Sequence, residues 1–134
     1  MSDSDRTTAL VEAARAARAF ARADYSGFKV GAALETADGK IYTGCNVESA
    51  TYGQTICAER VALFKALSEG QQTFTRLAVV TGAHTTTPPC GACRQLLWEY
   101  AGNLEVILVD VLEEIGRHRL ADLFPQPFDK RNLD

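Results

Sequence analysis

Between residues 57 and 110 the chain switches twice from a helical to an extended apolar pattern, and this alternation restricts the fold more than any other feature. Residues 57–67 place Ala58, Val61, Ala62 and the run from Phe64 to Leu67 at helical spacing, ending in Ser68, Glu69 and Gly70. Residues 74–81 (FTRLAVVT) read as a buried strand, and residues 90–100 return to the helical pattern through Leu96, Leu97 and Tyr100. Residues 103–110 close the series with VILVD, apolar enough for a central strand. Such an order predicts a sheet with helices on its faces. Upstream, residues 28–34 and 40–46 are short β-prone runs flanking Asp38-Gly39, a hairpin signal that adds antiparallel strands and makes the sheet mixed. Residues 8–23 carry Leu10, Ala13, Ala14, Ala17 and Ala21 on one side of a predicted first helix ending near Asp24. The expected order is α, β, β, α, β, α, β, with a short strand or helix between Asp110 and the Pro125 to Pro127 stretch. At 134 residues, with no linker or repeat, one domain spanning 1–134 is expected.

Charge narrows the function. Lys and Arg number 14 against 17 Asp and Glu, a net charge of -3, which gives no positive field for a nucleic-acid polymer. Arg6, Glu12, Arg15 and Arg18 interrupt the N-terminal segment, so it reads as neither a signal peptide nor a membrane span, and a cytoplasmic protein is expected. In a reducing compartment Cys45, Cys57, Cys90 and Cys93 point to metal binding or catalysis ahead of disulfides. Arg15, Arg18 and Arg22 share a helical face and read as solvated surface. His84 and His118 stand at no metal-ligand spacing and receive no role.

The chemistry-bearing stretches are CAER at 57–60 and PCGACRQ at 89–95. Cys57 and Cys90 each precede a helical pattern, and Cys93 falls in the first turn of the second. Free N–H groups and the positive dipole end at a helix N-terminus favour thiolate. Three thiolates suit zinc and leave a fourth position for water, whose pKa the metal lowers towards neutrality. Glu59 is close enough in sequence to move protons without touching the metal. Residues i and i+2 of a regular helix lie about 200° apart, so Cys57 is expected at the helix cap. Three thiolates exceed a dication's charge by one, and Arg60 and Arg94 are expected to donate to the sulfurs and offset the excess. The CxxC pair alone also fits a redox dithiol or a structural site closed by Cys45, but neither reading explains Glu59.

TICAER at 55–60 and PCGACRQ at 89–95 resemble the zinc-dependent cytidine deaminases, whose signature places a catalytic glutamate two residues after the first ligand. YSGFKVGAAL at 25–34 and GCNVESATYG at 44–53 are similar to the same family, so the resemblance covers most of the chain. It implies an α/β three-layer sandwich with a mixed five-stranded sheet between helices. It implies Zn2+ on Cys57, Cys90 and Cys93, with Glu59 catalytic. Phe28 would pack on the pyrimidine, Asn46 and Glu48 would hold ribose hydroxyls, and the Ala58 N–H would bind the base carbonyl. It further implies a homotetramer with shared sites, in which Ala50 and Tyr52 reach into a neighbouring pocket and Phe128 closes one. Asn46 and Glu48 alternate with Val47, so an extended backbone points both one way. An acidic grip suits an uncharged sugar and repels a phosphate. Departures from the family pattern are Asp24, Gln54 and Pro88, with Gln54 expected to alter pocket polarity.

The leading expectation is hydrolytic deamination of cytidine and 2′-deoxycytidine, by zinc hydroxide attack at C4 with Glu59 as proton shuttle. The alternatives are the same chemistry on a modified cytosine nucleoside such as blasticidin S, and a zinc-stapled module without catalysis, which needs Cys45 in the metal site. Neither a membrane nor a nucleic-acid polymer is an expected partner.

Overall fold

The computed structural model describes residues 2–133. Its first helix, α1 (Asp3–Arg18), starts five residues before the predicted boundary because Ser2 and Asp5 form a capping box, each side chain accepting the other's backbone N–H. It also stops at Arg18 although the Ala/Arg pattern runs on. Tertiary pairing takes over there: the Arg22 N–H donates to Asn46 O, and the Arg22 carbonyl accepts from the Glu48 N–H. The expected solvated arginine stripe is therefore replaced by three separate tasks. Arg15 pairs with Glu113 at 2.8 Å, Arg18 donates to the Lys29 carbonyl at 2.8 Å, and Arg22 lies outside the helix beside Asp24.

The hairpin forms as β1 (Val30–Thr36) and β2 (Ile41–Cys45), with Gly39 at the turn in the left-handed region at φ 89°. There follow α2 (Ala58–Ser68), β3 (Phe74–Thr81), α3 (Gly91–Ala101) and β4 (Glu105–Val109). The uncertain stretch after Asp110 supplies both a fifth strand, β5 (Ile115–Arg119), and a short helix, α4 (Leu120–Leu123). The sheet order is β2-β1-β3-β4-β5; β3 and β4 are parallel and the other pairs antiparallel, the mixed sheet expected.

Strand alternation sorts the core into two layers. Ala32, Leu34, Leu77, Val79, Val106 and Leu108 face α2 and α3, where Ala62, Leu63 and Leu97 meet them. Ala33, Ala78, Val80, Ile107 and Val109 face α1 through Leu10, Val11 and Ala14. This is the three-layer sandwich, with α1 alone on one face. Small residues set how closely the helices approach. A Cβ at Gly44 of β2 would lie 2.4 Å from the Ala58 carbonyl and 2.6 Å from the Ala62 nitrogen, so β2 holds the first turn of α2 at backbone contact. No described helix is long and apolar enough to cross a membrane.

Candidate metal centre and active site

The α2 and α3 helices point their N-termini at one place, and the cysteines stand there. Cys57 is the N-cap of α2 and Cys90 the N-cap of α3, both with extended backbone, and buried Cys93 is in the first turn of α3. Capping places Cys57 off the helical spiral, and so it shares a pocket with Glu59. The Cys57 and Cys90 sulfurs are 3.7 Å apart, Cys90 and Cys93 3.4 Å, and all three lie within 4.8 Å of one another. Tetrahedral zinc with Zn–S near 2.3 Å sets its sulfurs about 3.8 Å apart, so the cluster fits that ion. Cys45 lies on β2 and is absent from the group; the closed four-thiolate site is not formed among the described residues.

Arg60 donates through Nη2 to Cys57 Sγ at 3.4 Å. With the neighbouring Cys93 thiol and Arg60 both favouring a charged sulfur, the Cys57 thiol is drawn below its ordinary value against the upward push of burial. Cys93, hydrogen-bonded to Cys57 and itself buried, is pushed up. Arg94 differs from expectation: its Nε donates to the Pro89 carbonyl at 2.7 Å and its Nη1 to the Leu123 carbonyl at 2.5 Å, not to sulfur. It ties the loop entering Cys90 to the end of α4. The sequence alone cannot separate the two arginines, because Leu123 becomes a neighbour only through the fold.

Glu59 is 6% exposed, and burial pushes its carboxyl up to about 7, with the nearby Cys57 charge adding to the effect. It opens on a pocket of about 210 Å³ whose walls include Phe28, Asn46, Glu48, Cys57, Ala58 and Cys90. Asn46 and Glu48 do face the same pocket. Buried Asn46 holds the strand entry, donating to the Phe28 carbonyl at 2.8 Å and accepting from the Val30 N–H at 2.9 Å. Ser26 and Tyr25 donate to the Glu48 carboxylate and hold its pKa low. Ser26 escaped the sequence reading, although a Ser-Gly pair just before a strand is a turn signal. Pro88 lines the pocket, whereas Gln54 sits exposed in a 3₁₀ turn outside it.

Ala50, Tyr52 and Phe128 are not brought into this pocket. Tyr52 is 77% exposed and meets Tyr25 edge-on at 6.3 Å between ring centroids. Phe128 is 58% exposed, with its carbonyl held by Gln95 and the next residue, Asp129, accepting from the Trp98 indole at 3.0 Å.

Residues 4–109 match the family model described as the cytidine and deoxycytidylate deaminase zinc-binding region. The chain belongs to this family. Among curated members of the cytidine deaminase family, one from Sporosarcina psychrophila is 44% identical over 125 residues, 92% of each chain. The crystal structure of a cytidine deaminase from Burkholderia pseudomallei superposes with a TM-score of 0.89 at 48% identity, covering 96% of this chain and 100% of that one. A blasticidin-S deaminase from Bacillus cereus is more distant, at 28% identity over 75% of this chain and 77% of its own. For the family fold, the mixed sheet and its helical layers agree with the expectation from sequence.

Proposed function

We propose that the chain hydrolyses cytidine and 2′-deoxycytidine to the uracil nucleosides and ammonia. The observation that carries this reading is the buried Glu59 beside three cysteines at zinc spacing, in a pocket sized for one small molecule. Cys57, Cys90 and Cys93 would hold zinc, which when bound would supply Lewis acidity for activating water. Glu59 takes a proton from water and places it on N3 of the pyrimidine as the oxygen bonds to C4, then takes the remaining proton of that oxygen and delivers it to the amino group, so that the C4–N bond breaks, ammonia leaves and the C4 carbonyl forms. Burial raises the Glu59 carboxyl above the ordinary carboxylate range, which favours its taking up a proton and so suits a shuttle. Arg60 offsets one thiolate charge and so preserves the metal's acidity. Arg94 acts through the backbone, fixing the approach to Cys90.

Phe28 packs on the base, Ala58 offers its first-turn N–H to the base carbonyl, and Glu48 accepts from the sugar with Asn46 beside it. The carboxylate in that pocket favours nucleoside over nucleotide. Exposed Ala50, Tyr52 and Phe128 serve neighbouring pockets in a homotetramer, as the family resemblance implies, and the assembly works in the cytoplasm as one domain over 1–134.

The test is ultraviolet absorbance of zinc-loaded protein with cytidine, deoxycytidine and blasticidin S in parallel. Turnover of the first two supports the proposal. Turnover of the antibiotic alone reassigns the substrate, and inactivity on all three with zinc bound refutes it.

A further inference from the structure

The turn between α1 and β1 holds a hydroxyl with a partner on each side. The Ser26 O–H donates to Glu48 Oε2, while Ser26 Oγ accepts from the Phe28 N–H at 3.0 Å. The backbone N–H groups of Tyr25 and Ser26 both donate to Glu48 Oε1, at 2.9 and 2.8 Å. Gly27, at φ 70°, lets the turn close, its N–H donating to the Ala23 carbonyl at 2.9 Å. Phe28 and Glu48 are both walls of the pocket, so this one exposed serine is bonded to the aromatic wall and the acidic wall at once.

Counting acceptor capacity sharpens the point. A carboxylate has about four lone-pair sites. The two on Oε1 are filled by backbone N–H groups; on Oε2 one is filled by Ser26 and the other is met only weakly by Asn46 Nδ2 at 3.5 Å, so the capacity left for a ligand is on Oε2. A glutamate held this way is pre-organised, and the rotamer entropy it would otherwise lose on binding is already spent.

We infer that Ser26 is a positioning residue for the nucleoside: its hydroxyl fixes Glu48 to accept from one sugar hydroxyl and, through the Phe28 N–H, sets the aromatic ring against the base. The inference rests on the nucleoside reading above. It assigns Ser26 to binding and leaves proton transfer to Glu59.

The experiment measures kcat and KM of the zinc-loaded wild type, Ser26→Ala and Ser26→Thr on cytidine and on 2′,3′-dideoxycytidine, which lacks both hydroxyls, with Tm recorded for each. Loss of a hydrogen bond to a charged group predicts that Ser26→Ala raises KM for cytidine roughly tenfold. Its kcat stays within about twofold, the dideoxy substrate is affected less, and Ser26→Thr restores cytidine binding. Ser26→Ala in a Glu48→Gln background costs less on cytidine than Ser26→Ala alone, the remainder coming through the Phe28 N–H. Equal penalties on the two substrates, a fall in kcat that tracks Tm, or no rescue by threonine overturns the assignment. If Ser26→Ala does not fold, the threonine variant decides: wild-type KM on cytidine supports the role, and a raised KM with an unchanged Tm contradicts it. Wild-type protein idle on cytidine refutes the function reading instead, so the two failures are distinguishable.

Discussion

Gly44→Ala perturbs the start of the helix that carries the site. The added Cβ would meet the Ala58 carbonyl at 2.4 Å, the Ala62 nitrogen at 2.6 Å and the Val61 Cβ at 2.9 Å. Two of these are backbone atoms of α2, so no side chain can swing away. Moving the nearest from 2.4 Å to the 3.4 Å where ordinary contact begins displaces the helix start by about 1 Å. The displaced residues are Ala58 and its neighbours Cys57 and Glu59. Overpacking of this kind costs about 1 to 3 kcal/mol, or about 3 to 9 °C in Tm for a chain of this length. Misplacing catalytic groups by about 1 Å costs roughly 100-fold in rate. Differential scanning calorimetry and steady-state turnover on the folded fraction measure the two effects separately. A variant with wild-type Tm and wild-type kcat/KM would refute the close-approach argument. A variant whose activity falls only in proportion to its folded fraction would refute the claim that helix placement, and not stability, is what the site feels.

Other consequences follow from the same geometry. Cys90→Ser should leave less than one zinc per chain and abolish turnover, read by metal analysis of dialysed protein; full zinc retention would exclude Cys90 as a ligand. Glu35, buried at the far end of β1, pairs with Arg76 at 2.9 Å, and Glu35→Gln should destabilise by roughly 1 to 2 kcal/mol while sparing activity, because it weakens a charge-assisted bond to a guanidinium that keeps Asp3 at 3.1 Å and Thr7 at 3.0 Å. Burial pushes the Glu35 carboxyl up, but bonds from Arg76 and Thr75 outweigh it and hold the pKa below 4.5. The pair's stability is therefore present above pH 4.5 and lost as pH falls through the folded value, so the Tm of Glu35→Gln should show a flatter acid limb than wild type.

The sequence made the site more legible than its surroundings, for physical reasons. Metal ligands declare themselves through residue type and spacing, and the i, i+2 conflict between Cys57 and Glu59 placed Cys57 at the cap where it stands. Strands β3 and β4 were visible because both faces are buried and the runs are continuously apolar. β5 was not resolved in advance: it is an edge strand reading Ile-Gly-Arg-His-Arg, whose pattern carries little apolar signal. The end of α1 was misplaced because bonds from Arg22 to Asn46 and Glu48 join segments more than twenty residues apart and override an Ala-rich helical pattern. Arg94 failed for the same kind of reason, since its acceptors are backbone carbonyls that only the folded chain brings near. Ser26, with its partners split between a local turn and a distant glutamate, was half visible as a turn residue and invisible as a ligand of Glu48.

The central claim is that Glu59 moves protons beside a metal it does not hold. The most direct measurement is cytidine turnover by Glu59→Gln purified in parallel with the wild type, with zinc content and Tm determined on the same samples. The account predicts one zinc per chain in both proteins, a Tm at or above wild type because a buried ionisable group has become neutral, and a rate lowered by about 100-fold to 10,000-fold. Loss of zinc from the variant would make Glu59 part of the metal site, and an undiminished rate would remove it from the chemistry altogether.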